Sequence, residues 1–188
     1  MTDHDQHASD VSPVLRAVLE DRPPGRALDL ATGGGRNASF LAASGWAVDA
    51  VDLSRAQLER ARERVGACAD AIEFVLADVD SYAFPEGAYD LVTISFFDAR
   101  DRLPDVVSSL RPGGVLFYEH YLESGPGESG AGDRYRFAPN ELLSAMSTLR
   151  VLYYAEYRVG GEPRVTLVAH EPADGVEWAF QPPWSSTR

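Results

Sequence analysis

Three acidic residues and a run of glycines stand at spacings that suit recognition of a nucleoside. Residues 27–42 read ALDLATGGGRNASFLA: an apolar stretch ends at Asp29-Leu30, Gly33, Gly34 and Gly35 follow, and a helix begins near Arg36-Asn37. Glycine admits a tight turn and lets a ligand approach the backbone with no Cβ in the way. A helix opening straight after such a loop adds free amide donors and the positive end of its dipole. Asp52 follows Gly33 by 19 positions, at the end of the apolar stretch in VDAVDLS. A carboxylate there is placed to accept hydrogen bonds from two ribose hydroxyls. Asp78, in FVLADVDSYAF, ends a third apolar stretch, where it would meet an adenine amino group.

The elements that must carry these residues alternate along the chain. Ser12-Pro13 reads as a helix start, with Val14, Leu15, Val18 and Leu19 as its apolar face, and Arg22-Pro23-Pro24-Gly25 ends it. Apolar runs at 27–30, 47–51, 72–76, 91–94 and 115–118 read as buried strands, with helices near 37–44, 54–66 and 101–110. Strands alternating with helices imply right-handed crossovers and a parallel sheet covered on both faces. The end of the chain departs from this rule. Residues 149–157 and 164–169 are both strand-like, and the connector 158–163 is too short for a crossover helix, so they pair as an antiparallel hairpin. The expectation is an α/β fold: a doubly wound, Rossmann-like, seven-stranded sheet, mostly parallel, closed by an antiparallel C-terminal hairpin. Residues 1–12 read as a loose N-terminus, 13–170 as one domain and 171–188 as a tail. The glycine-rich insertion 125–132 follows a strand's C-terminal end, where ligands bind in open α/β sheets, and suits either a lid or a surface loop.

Two cofactor classes share the glycine-loop arrangement, because Gly33-x-Gly35-x-x-Ala38 also satisfies a relaxed dinucleotide fingerprint. Three features separate them. Asp29, just before the loop, would repel a pyrophosphate and attract the cationic methionine part of S-adenosylmethionine. Asp78 suits an adenine edge. The terminal hairpin is foreign to the usual six-stranded dinucleotide sheet. Over residues 13–170 the chain resembles the class I S-adenosylmethionine-dependent methyltransferases. DLATGGGRN is similar to their first motif, VDLS to the acidic second-strand motif and LADVDSYAF to the adenine-side motif, while DLVTISFF and LRPGGVLFYEHY resemble the fourth- and fifth-strand motifs. The GRN ending and YRFAPNELL resemble the small tellurite-resistance and thiopurine methyltransferase-like branch. Ala31 and Thr32 stand where Gly and Cys are more usual. The resemblance implies Asp29, Ala31, Gly33, Gly35 and Asn37 around the methionine portion and Asp52 on the ribose. It further implies Leu53 packed on the adenine, Asp78 and Val79 at the adenine edge, and Ser95 and Phe96 beneath the reacting end.

Methyl transfer from a sulfonium is an in-line displacement with a good leaving group, so alignment supplies most of the catalysis. A base is required only where the acceptor must lose a proton. Soft sulfur, selenium or tellurium acceptors fit the lack of an evident catalytic group. Candidates on the acceptor side are Phe97, Asp98 and Arg100 past the fourth strand, and Glu119, His120 and Tyr121 past the fifth. Phe96 and Phe97 would wall an apolar acceptor or stack on a planar one, with one of the two expected in the core. His120 is the one candidate proton acceptor, set against a half-buried structural histidine. Arg134 and Arg136 would hold an anionic acceptor by paired hydrogen bonds or stand solvated. Trp178, Phe180 and Trp184 read as cover for an apolar patch.

Composition narrows the classes. The 17 basic residues are all arginine and the formal net charge is −12. Such a surface repels phosphate backbones, which argues against nucleic acid as partner and for a small molecule. Both a low-salt and a high-salt cytoplasm accommodate that charge. No apolar run approaches the ~20 residues of a membrane span, and no cationic-then-apolar leader precedes the domain. The lone Cys68 forms no intramolecular disulfide and marks no metal site. The expected setting is cytoplasmic. Two other readings remain at this point: a protein that senses S-adenosylmethionine without turnover, and a nicotinamide-dependent oxidoreductase.

Overall fold

The computed structural model describes residues 11–20, 22–124, 133–175 and 180–183. Helix α1 (Pro13–Glu20) leads into β1 (Arg26–Leu30), α2 (Arg36–Ala43), β2 (Ala47–Asp52), α3 (Arg55–Val65), β3 (Ile72–Leu76) and β4 (Tyr89–Ser95). Then follow α4 (Leu103–Ser109), β5 (Leu110–Tyr121), α5 (Glu141–Ala145), β6 (Arg150–Val159) and β7 (Glu162–His170). One seven-stranded sheet results, in the order β3-β2-β1-β4-β5-β7-β6. Strands β1 to β5 pair in parallel, whereas β7 lies antiparallel between β5 and β6. The expected seven-stranded, mostly parallel sheet with an antiparallel terminal hairpin is therefore what the chain forms.

Burial explains why these segments become strands. Four of the five residues of β1 are buried, and so are eight successive positions of β5 from Gly113 to His120. Residues hidden on both faces read as continuous apolar runs. Two cores cover the sheet. On one face Leu15, Leu41, Trp46 and Phe117 join α1 and α2 to the strands; on the other Tyr89, Leu103, Val106, Tyr118 and Leu142 join α4 and α5. Ser54 caps α3 by accepting the Gln57 amide, the role its position before the helix suggests.

Three departures from the expected elements have physical causes. The hairpin connector is shorter than 158–163, because the strands run on to Val159 and Glu162 and leave only Gly160-Gly161 at the turn. Both glycines take positive φ, +57° and +86°, which a two-residue hairpin turn requires. Strand β5 reaches Tyr121, so Glu119, His120 and Tyr121 lie within the strand rather than past it. Helix α5, five residues long, is too short to leave a periodic trace, and Asn140 opens it with φ +63°. Phe180 packs on Tyr153 at 5.7 Å between ring centroids. The insertion 125–132, residues 1–10, Trp178 and Trp184 lie outside the described residues. No helix among the described residues is long and apolar enough to cross a membrane.

Candidate functional site

Parallel pairing brings the C-terminal ends of β1, β2, β3 and β4 to one edge of the sheet, and the candidate residues gather there. Asp29 is 2% exposed, and its carboxylate accepts from the hydroxyls of Thr32 (2.5 Å) and Thr93 (2.7 Å) and from the Ala38 amide (3.2 Å). Burial pushes this carboxyl upward, opposed by those hydrogen bonds and by the charge of Arg36. Asp29 thus ties the glycine loop to α2 and β4 while lining a cavity of about 280 Å³ with Ala31, Thr32, Gly33, Arg36 and Asn37. Ala31 holds φ +53°, a left-handed conformation that strains a residue with a Cβ.

The two marked glycines do different work. A Cβ on Gly33 would meet nothing within 4 Å, so this residue leaves the cavity side open. A Cβ on Gly35 would lie 2.7 Å from the Ala61 Cβ, so this glycine lets α2 pack against α3. Gly35 is absent from the cavity lining.

Asp52 is joined to the same loop. Its carboxylate accepts from the Gly33 amide and from the Ser54 amide, each at 2.8 Å. Leu53, beside it, is 68% exposed, an unusual setting for a large apolar side chain at the mouth of a sheet. At the end of β3, exposed Asp78 accepts the Asp80 amide at 3.0 Å, and Val79 is buried with its carbonyl held by Arg102 at 2.7 Å.

Between β4 and β5 a polar chain runs through the site. The Asn37 amide nitrogen donates to Ser95 Oγ (2.9 Å), which donates to Glu119 Oε1 (2.8 Å), and Glu119 also receives Arg36. Asn37 Oδ1 is buried without a hydrogen-bond partner. Phe96, at the strand end, has φ +56° and reaches three cavities: the glycine-loop cavity and two neighbours of about 480 and 500 Å³. A non-glycine residue held there marks a place where the surrounding structure overrides backbone preference.

Phe97, Asp98, Arg100 and His120 line the 500 Å³ cavity together with Tyr135. His120 is 3% exposed; its Nδ1 accepts the Tyr121 amide at 2.7 Å, and its buried Nε2 has no hydrogen-bond partner among the described residues. Burial lowers its pKa to about 4, with Asp98 and the Tyr135 backbone acting upward and Arg100 and Arg136 downward. The imidazole is therefore neutral near pH 7 and a weak proton acceptor. Arg100 is spent on Asp98 (2.9 Å), Glu141 (3.1 Å) and the Arg136 carbonyl (2.9 Å). Arg136 ties Leu122 to Glu162 and stacks over Tyr121, which itself lines the glycine-loop cavity. Arg134 is exposed and stacked on Tyr135.

Sequence reasoning passed over Arg36 and Arg164. Arg164 opposes Tyr121 across the β5·β7 ladder and stacks over Phe96 (5.1 Å) and Tyr121 (5.5 Å). The signal was available. An antiparallel strand beside β5 must begin where β5 ends, so an arginine opening β7 arrives at the site edge.

Residues 27–114 match the family described as "Methyltransferase domain". A demethylmenaquinone methyltransferase of Clavibacter sepedonicus is 43% identical over 96 residues, 48% of this chain and 39% of that protein. One from Thermus thermophilus is 34% identical over 146 residues, 73% of this chain and 65% of that protein. The chain thus spans less than two thirds of the length of these relatives. Among solved structures, the N-methyltransferase NodS of Bradyrhizobium japonicum aligns with a TM-score of 0.71 at 15% identity, covering 91% of this chain and 97% of that one. Residues 27–114 are thus similar to a methyltransferase domain, and the chain shares its fold with NodS. These relatives' names lend no support to the tellurite-resistance and thiopurine branch.

Proposed function

We propose that the chain transfers the methyl group of S-adenosylmethionine to a small-molecule acceptor by in-line displacement, within a domain spanning 13–170. The observation that carries this reading is the 2.8 Å bond between the Gly33 amide and the Asp52 carboxylate, with Leu53 exposed beside it. It makes the loop for the methionine part and the acid for the ribose one rigid unit, next to an apolar surface for adenine. The donor set fits the rest of the cofactor. Buried Asp29 and the unpaired Asn37 Oδ1 suit an ammonium group, while Asp78 and Val79 suit the adenine edge. When bound, the cofactor supplies an activated methyl on sulfonium. The chain's own contribution is alignment: Ser95 and Phe96 set the floor, and Phe97 and Tyr121 wall the acceptor. His120, neutral and weakly basic, suits hydrogen-bond donation from Nε2 better than proton removal.

The wall of Phe96, Phe97 and Tyr121 favours a planar acceptor. The relatives' names point to a quinone-type ring, whereas the GRN resemblance points to a soft sulfur, selenium or tellurium centre. Calorimetric titration with S-adenosylmethionine, S-adenosylhomocysteine and NADH tests the reading. Both sulfur cofactors should bind in the micromolar range, and Asp52→Ala should weaken them about 100-fold while the protein stays folded. Binding of NADH alone would overturn the proposal. Binding without turnover to S-adenosylhomocysteine, with any acceptor, would leave a sensor.

A further inference from the structure

The 480 Å³ cavity beyond Phe96 is electropositive in a chain whose formal net charge is −12. Arg16, Arg36 and Arg164 line it, and among the described residues Glu119 is the single carboxylate in its lining. Glu119 already binds Arg36 and Ser95. Arg16 rests over Phe40 at 4.8 Å, with one long bond to the Val11 carbonyl. Arg164 makes no ion pair and donates no side-chain hydrogen bond among the described residues, and its Nε is buried without a partner. The rings of Phe96 and Tyr121 hold the guanidinium in place but give its donors nothing to bond. A guanidinium in that state has donors available to an anion.

We propose that this cavity binds a carboxylate, docked on Arg164 with Arg16 behind it. The planar guanidinium matches a planar carboxylate through two parallel hydrogen bonds. Of the remaining walls, Val11, Pro13, Phe96, Tyr157 and Val159 are aromatic or aliphatic and Ser12 is polar, and the volume suits an organic acid rather than a bare inorganic anion. Tyr157 is fixed by its hydroxyl contact with Thr166 at 2.8 Å. This proposal rests on the methyltransferase reading and, where the acceptor supplies the carboxylate, narrows it to a planar carboxylic acid. Arg164 also lines the glycine-loop cavity, so the methionyl tail of the cofactor is a second source of the same carboxylate chemistry.

Calorimetry on the full chain separates the two sources with three probes: S-adenosylhomocysteine, 5′-methylthioadenosine, which lacks the methionyl carboxylate, and benzoate. If the acceptor supplies the carboxylate, benzoate binds the S-adenosylhomocysteine-saturated protein, and Arg164→Gln weakens it about tenfold. Arg164→Lys then restores part of that loss, Arg16→Gln weakens benzoate about threefold, and S-adenosylhomocysteine changes by less than about twofold. If the cofactor tail supplies it, Arg164→Gln weakens S-adenosylhomocysteine about tenfold and leaves 5′-methylthioadenosine unchanged. The proposal is overturned if the wild-type protein binds no benzoate and Arg164→Gln, with its melting temperature intact, leaves S-adenosylhomocysteine unaffected. Should Arg164→Gln fail to fold, Arg164→Lys and Arg16→Gln carry the same comparison. A wild-type protein that binds neither nucleoside sinks the methyltransferase reading, while benzoate titrated into the ligand-free protein still decides this site.

Discussion

At the glycine-loop end of the site, Asp29 receives hydrogen bonds from Thr32, Thr93 and Ala38, and Asp52 receives two more from backbone amides. At the hairpin end, Arg164 stacks on two aromatic rings and bonds to nothing among the described residues. One charged region is completed by the chain itself; the other finds no partner among the described residues. The parallel strands deliver a loop whose shape must be fixed before a ligand arrives. The hairpin delivers a charge that the described residues leave without a partner. Preorganisation and incompleteness thus mark different parts of the site.

The sharpest break of that contrast is Asp29→Ala. It strands two hydroxyls and an amide in the core and should cost about 4 kcal/mol in urea denaturation, whereas Arg164→Gln should change stability by less than about 0.5 kcal/mol. Equal costs would show that the two regions are not different in kind. The next effect lies at the junction, in His120. Its native pKa of about 4 lies below the ordinary histidine value, so the unfolded state takes up a proton first as pH falls. Stability should therefore drop by about 3 kcal/mol between pH 6.5 and 4 beyond any drop in His120→Gln. Parallel pH curves for the two proteins would refute the neutral, buried imidazole.

Two glycines sharpen the account of the preorganised end. Gly35→Ala should cost about 3 kcal/mol, since its Cβ meets Ala61 and its φ is +74°. Gly33→Ala should cost about 1 kcal/mol, from its φ alone, and act mainly on S-adenosylhomocysteine affinity. A reversed order would place the tight approach at the wrong glycine. The smallest effect is a gain. Ala31→Gly should raise stability by about 0.5 kcal/mol, because relief of left-handed strain slightly exceeds the entropy lost. A loss there would mean that the Ala31 methyl makes a contact worth more than its strain.

Much of the fold was legible because burial on both sheet faces turns strands into continuous apolar runs, and because Pro, Gly and Ser punctuate them. The hairpin was legible from a connector too short to cross the sheet. Asp29, Gly33 and Asp52 were legible from spacing, since a loop and the next strand's end are neighbours in every parallel crossover unit. Helix α5 was not, because five residues carry no period. The roles of Arg100 and Arg136 were not either: an arginine near a site looks the same in sequence whether it faces a ligand or a carbonyl.

Local spacing, then, determined which residues sit at the sheet's C-terminal edge, because strand direction and crossover geometry follow from short stretches of chain. Only the tertiary structure decided which of their charges are already answered. Glu119 pairs with Arg36, 83 residues away, and Arg100 pairs with Glu141 on a later helix. The pairing of such charges depends on distances between elements remote in sequence, set by packing that no local pattern records, and that packing gives the Arg164 donors no partner among the described residues.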